Sequence, residues 1–97
     1  MVDFNSRATI PNHVIVRRVA DEAVLLNLAT EHYYALDSVG YAMLLQSTNG
    51  GTLADAVEAL LDEYDVTRER LVEDFEELLN QLLEAGLIEI VPPLSVS

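Results

Sequence analysis

Two short apolar runs, Val24 to Leu28 and Tyr33 to Leu36, flank a polar turn and lead straight into Asp37, a helix-capping residue. Runs rich in Val, Leu and Tyr, bounded by turn residues, are the signature of a β-hairpin. Beyond Asp37 the chain carries helical spacing almost to its end. The sequence is therefore constrained to a small sheet at one end of a helical bundle, which leaves at least one strand edge unpaired. Such an edge is a template on which another peptide adds as a strand.

Upstream of the hairpin, His13 to Val19 is β-branched and reads as a first strand. The turn Ala20-Asp21-Glu22 leads to a second strand at about 23–29. Thr30-Glu31-His32 then turns into a third at about 33–36, completing a three-stranded antiparallel meander. Side chains alternate with period two, so Val24, Leu26 and Leu28 share one face of the second strand, opposite Leu25 and Asn27. Tyr34 and Leu36 likewise oppose Tyr33 and Ala35 on the third. We expect the first set of each pair to face the core.

Asp37 or Ser38 caps a first helix at about 39–48, closed by Asn49-Gly50-Gly51, with Val39, Met43, Leu44 and Leu45 as its candidate buried stripe. Gly40, in its first turn, costs helix stability and points to another backbone passing close by. Thr52 caps a second helix at about 53–63 with Leu53, Val57, Leu60 and Leu61 at helical spacing. Thr67 caps a third at about 68–85, with Gly86 just beyond it. On this third helix Leu71, Phe75, Leu78 and Leu82 form one apolar row, and Val72, Leu79 and Leu83 an adjacent one, a stripe wider than one neighbour needs. Leu87 to Val91 suits an extended segment, which Pro92-Pro93 stops. The organisation is then a flexible arm over 1–12, one domain over 13–91 and a tail over 92–97.

Charge and composition narrow the function. The 97 residues carry a net charge of −12, and 51% are apolar, enough for a packed domain. Residues 52–91 hold twelve acids against only Arg68 and Arg70, a net of −10, and residues 1–51 supply the remaining −2. An acidic surface repels phosphate backbones and anionic lipid heads and attracts basic partners, which argues against nucleic acid and membranes. The N-terminus lacks the apolar run of a signal peptide and no stretch has the apolar length of a membrane span, so a cytoplasmic location is expected.

The chemistry of an enzyme is hard to assemble here. There is no cysteine and no lysine, so thiolate and Schiff-base chemistry are excluded. His13 and His32 have no partner at metal-ligand spacing, Ser38 reads as a cap, and Asn49-Gly50-Gly51 ends a helix where a phosphate loop would open one. We expect no catalysis, no metal and no cofactor.

The order strand–strand–strand–helix–helix–helix resembles the PqqD family and the wider set of leader-peptide recognition domains of ribosomal natural-product biosynthesis. The resemblance rests on Val24-Leu25-Leu26-Asn27-Leu28, Tyr33-Tyr34-Ala35-Leu36-Asp37-Ser38-Val39-Gly40, Glu63-Tyr64-Asp65-Val66 and Leu82-Leu83-Glu84-Ala85-Gly86-Leu87-Ile88, and covers roughly residues 13–90. It implies an α+β, winged helix-turn-helix-like fold, a three-stranded antiparallel sheet followed by a three-helix bundle. It also implies capture of the leader of a precursor peptide as an added strand on the third strand, in a groove against the third helix. The leader is then presented to a separate modifying enzyme, a radical-SAM enzyme or, in lasso-peptide pathways, a leader protease working with a cyclase. The matching positions are Tyr33, Tyr34, Ala35 and Leu36 on the third strand and, on the third helix, Val72, Phe75, Glu76 and Leu79. Proline at Tyr34 is expected to weaken leader binding by removing a ladder N–H.

Plainer readings stand beside this one. The third strand can be an internal strand with its tyrosines in the core, although residues 33–36 carry neither the charge nor the proline that usually protects an edge. Glu69, Glu73 and Glu77 lie at i, i+4 spacing, where like charges cost about 0.2–0.5 kcal/mol per pair; they read as a solvated face or as a guide for a basic partner. Glu76 is the acid placed to touch a peptide. Two functional rivals are a winged-helix DNA-binding regulator, which needs a basic recognition helix, and a dimerisation module pairing its strand edge with a second copy.

Overall fold

A computed structural model of the chain describes residues 2–93. Its elements are β1 (Arg7–Thr9), β2 (Val14–Val19), β3 (Glu22–Asn27), β4 (Tyr33–Leu36), α1 (Ser38–Ser47), α2 (Leu53–Glu63), α3 (Arg68–Glu84) and β5 (Glu89–Val91). The meander expected over 13–36 is the antiparallel sheet β2-β3-β4, and three helices come after it, giving the expected α+β, winged-helix-like architecture. β1 and β5 pair antiparallel as a separate two-stranded sheet that joins the two ends of the domain.

Local chemistry accounts for the helix boundaries. Asp37 caps α1 by accepting from the Gly40 N–H at 2.8 Å. Thr52 and Asp55 form a reciprocal capping box at α2, and Thr67 caps α3 by accepting from the Arg70 N–H. α3 ends at Gly86, whose φ of 69° is the left-handed conformation that glycine adopts without a Cβ penalty. At Gly40 the nearest neighbours are side chains, not the passing backbone that was expected. A Cβ there would lie 3.2 Å from the Leu36 side chain and 3.3 Å from the capping carboxylate of Asp37. The glycine makes room for the cap and for a core leucine.

The core lies between the inner face of β2-β3-β4 and the three helices. Leu25, Leu44, Leu53, Leu60, Phe75 and Leu82 are all at or near zero exposure. Of the stripe expected on α1, Met43 and Leu44 are buried, while Val39 and Leu45 are exposed. The face expected for β3 is reversed. Ala23, Leu25 and Asn27 are buried, whereas Val24 and Leu26 lie half-buried on the outer face and Leu28 is exposed. The outer face is apolar too, but no helix of the described residues covers it. Asn27 enters the inner face because its polar atoms are fully engaged there: Oδ1 accepts from Ala29 and Thr30 N–H, and Nδ2 donates to Ala85 and Gly86 carbonyls at 3.1 and 3.2 Å. On β4 the expectation holds, with Leu36 buried and Tyr34 half-buried on the core side.

The segment read as a loose arm contributes structure from residue 2 onward. Val2, Ser6 and Ala8 are buried, and Phe4 packs edge-on against Phe75 at a centroid distance of 6.3 Å. The carbonyls of Phe4 and Ser6 accept the Ala54 and Leu53 N–H groups that open α2, each at 2.8 Å. These are donors a helix cannot satisfy internally. Strand β1 then pairs with β5, which lies in the extended segment expected before Pro92. The tail expected over 92–97 falls outside the described residues from 94 onward.

The β2–β3 turn holds a residue in an uncommon conformation. Ala20 has φ 57°, a region that costs L-residues of the order of 1 kcal/mol. Replacing Ala20 with glycine is expected to stabilise the fold by about 0.5 kcal/mol, the relief of that cost less the entropy glycine gains in the unfolded chain. Urea denaturation of the variant, showing a higher midpoint at an unchanged slope, is the measurement that checks it.

Candidate functional site

In the order β2-β3-β4, the outer edges of β2 and β4 have no partner strand among the described residues. Ladder parity fixes which main-chain groups point outward. The hairpin pair Val19↔Glu22 closes a two-residue turn, and the Leu28 N–H donates to the His13 carbonyl at 2.8 Å, so Glu22, Val24, Leu26 and Leu28 bond towards β2. The Asn27 N–H donates to the His32 carbonyl, also at 2.8 Å, so Ala23, Leu25 and Asn27 bond towards β4. By register, Tyr34 pairs with Leu25 and Leu36 with Ala23. Those two residues of β4 turn their main chain into the sheet. Tyr33 and Ala35 turn theirs outward, and their N–H groups have no backbone partner among the described residues.

One expectation is corrected by this parity. The Tyr34 N–H already belongs to the β3–β4 ladder, so proline at that position damages the sheet itself. The residues whose N–H and C=O face a guest are Tyr33 and Ala35.

The two open edges differ. On β2 the outward N–H of Val14 is occupied by the Pro11 carbonyl at 3.1 Å, and Arg17 and Arg18 lie on the strand. Charge and an occupied donor are the ordinary protections of an edge. β4 (Tyr-Tyr-Ala-Leu) has neither. Tyr33 is 74% exposed and Ala35 is also exposed, both on the outer face.

Beside this edge runs α3. The Tyr34 hydroxyl donates to Gln81 Oε1, fixing which side of the helix faces the strand. Residues three, four and seven positions from Gln81 share its face. The side turned towards β4 therefore holds Asp74, Glu77, Leu78 and Gln81, of which Leu78 and Asp74 are half-buried and Glu77 and Gln81 exposed. Arg70 Nε donates to Asp74 at 3.2 Å one turn earlier on the same side. The Asn27 amide, bound to the carbonyls of Ala85 and Gly86, ties the start of β4 to the C-terminal end of α3.

The eight residues expected at the site divide accordingly. Tyr33, Tyr34, Ala35 and Leu36 form the edge strand, with Leu36 turned into the core. Phe75 and Leu79 are buried in the core, at 0% and 1% exposure, with Phe75 packed against Phe4. Val72 lines a shallow pocket of about 210 Å³ on the other side of α3, with Phe4, Ala54 and Val57 as its apolar neighbours. Arg68 and Glu58 rim that pocket, and the hydrogen bond from Arg68 holds the Glu58 carboxyl below its ordinary range. Glu76 accepts from the Val2 N–H at 3.3 Å, again away from β4. Sequence reasoning missed Asp74, Leu78 and Gln81, which only the Tyr34–Gln81 contact identifies. No group of three or more His, Cys, Asp or Glu placed to hold a metal occurs among the described residues. Among the same residues no helix is long and apolar enough to cross a membrane.

The fold has solved relatives. Among solved structures, the chain is similar to TbiB1 in complex with the TbiA(beta) leader peptide, with a TM-score of 0.78 and 32% identity, covering 84% of this chain and 94% of that one. A lasso peptide synthetase B1 complexed with the leader peptide shares the fold at a TM-score of 0.77 and 23% identity, covering 86% of this chain and 98% of that one. A comparison with curated proteins gave no match. The profile of the family described as coenzyme PQQ synthesis protein D (PqqD) matches residues 22–88, from the first residue of β3 to the approach to β5. With most of its length inside that match, including the open edge and the helix beside it, this chain belongs to the PqqD family.

Proposed function

We propose that this protein is a non-catalytic recognition module that captures the leader of a ribosomally made precursor peptide by strand addition to β4. It presents the bound peptide to a separate modifying enzyme, a radical-SAM enzyme or a leader protease. The observation that carries this reading is the outward pair of unoccupied main-chain units at Tyr33 and Ala35, on an uncharged strand set against α3. Asp74, Glu77, Leu78 and Gln81, on the side of α3 that meets Tyr34, form the wall of the groove.

Magnitudes divide the labour. Tyr33 and Ala35 together offer two donors and two acceptors, so a guest strand forms up to about four ladder bonds, each contributing about 1 kcal/mol net. Micromolar affinity requires about 8 kcal/mol. The ladder therefore supplies about half and sets the guest's direction, and side chains buried against Tyr34 and Leu78 supply the rest. Holding the leader near the enzyme then raises the local substrate concentration to the millimolar range.

Titrating the purified protein with a labelled leader peptide tests the proposal, with fluorescence anisotropy as the readout and amide chemical shifts to locate the contact. The expected result is saturable binding with the largest shifts at residues 33–36. An obligate dimer that ignores peptide in light scattering, or measurable duplex DNA affinity at low salt, would overturn it.

A further inference from the structure

Resting on the strand-addition reading above, we infer that Glu77 determines specificity at the β4 groove by selecting a leader with a basic side chain two residues beyond the one opposite Tyr34. A guest on the β4 edge continues the pleat, so its side chains opposite Tyr34 and Leu36 point inwards, towards α3, and the alternate ones point out beside Tyr33 and Ala35. Opposite Tyr34 the guest meets Gln81 and the half-buried Leu78. β4 starts at the C-terminal end of α3, where Asn27 holds Ala85 and Gly86, so a guest residue further along lies nearer the middle of the helix. Two strand residues advance about 6.7 Å, which spans four to five residues of helix at about 1.5 Å each. From Gln81 that step reaches Glu77.

The net charge there is negative, and among the described residues Glu77 is its uncompensated acid. β4 contributes none, and Arg70, the cation of this helix side, is engaged by Asp74 at 3.2 Å. On its own Glu77 would be part of a solvated face. Its role comes from lying across the groove from the vacant ladder positions of Tyr33 and Ala35. A Lys or Arg side chain is long enough to lay its methylenes over Leu78 and place its charge at Glu77. An acidic guest residue at that position meets repulsion instead, in a protein already at −12.

Selection from a displayed library of random twelve-residue peptides tests this on the intact protein, run in parallel on wild type, Glu77→Lys and Ala35→Pro. Glu77 is exposed, so its replacement leaves the core untouched. The expected result is peptides that depend on Ala35, with Lys or Arg enriched at least fivefold at one position. Glu77→Lys should shift that position to Asp or Glu. Peptides that depend on Ala35 but show no basic preference, or the same preference with Glu77→Lys, would overturn the inference and leave strand addition standing. A selection yielding no Ala35-dependent peptide would overturn both.

Discussion

Replacing Ala35 with proline is expected to weaken leader binding by about 10- to 100-fold and to leave the fold intact. The Ala35 N–H points away from β3, because the ladder partners of β3 on this strand are Tyr34 and Leu36. Proline there removes an N–H that no backbone group of the described residues accepts, so the folded protein loses no ladder bond. A guest loses one hydrogen bond, about 1 kcal/mol, and keeps a carbonyl with no donor, about 1–2 kcal/mol more. Together this is about one to two decades in Kd. Proline at Tyr34 is the informative contrast, since it breaks the Leu25–Tyr34 pair and lowers stability. Circular dichroism and urea midpoints separate the two variants. A folded Ala35→Pro protein that binds leader with wild-type affinity would rule out strand addition at β4.

Asn27→Ala is expected to destabilise the protein by about 2–4 kcal/mol, the largest effect of any single polar side chain in the sheet. Asn27 is 2% exposed, and its amide serves four backbone groups on two elements, the turn at Ala29 and Thr30 and the helix end at Ala85 and Gly86. The turn N–H groups reach water once the side chain is gone. The carbonyls at the partly buried helix end are harder to solvate, and they carry most of the cost.

Gly86 is matched to the same contact. Its φ is 69°, and a Cβ there would lie 2.9 Å from Asn27 Nδ2. Gly86→Ala is expected to cost about 2 kcal/mol in the wild-type background and about 1 kcal/mol beside Asn27→Ala, where only the backbone strain is left. Urea denaturation of the two single variants and the double variant gives the coupling. Additive losses would show that the two residues act independently. Because this tie sets the start of β4 against α3, both variants should also bind leader more weakly.

The residues themselves determined the local architecture. The caps at Asp37, Thr52 and Thr67 and the uncharged β4 span at 33–36 depend on neighbours in sequence, and all were legible without coordinates. The tertiary structure decided three other matters. Which face of β3 is buried depends on what covers it, and Val24, Leu26 and Leu28 outweigh Leu25 and Asn27 in hydrophobicity while lying on the uncovered side. α3 carries two adjacent apolar rows, so its groove-facing side was undetermined until Tyr34 met Gln81. β1 pairs with β5 across about eighty residues, and no local pattern in Arg7–Thr9 encodes a partner that distant. Propensity and capping act within a turn or two of the chain, whereas burial, helix rotation and long-range pairing are set by packing that exists only once the elements have come together.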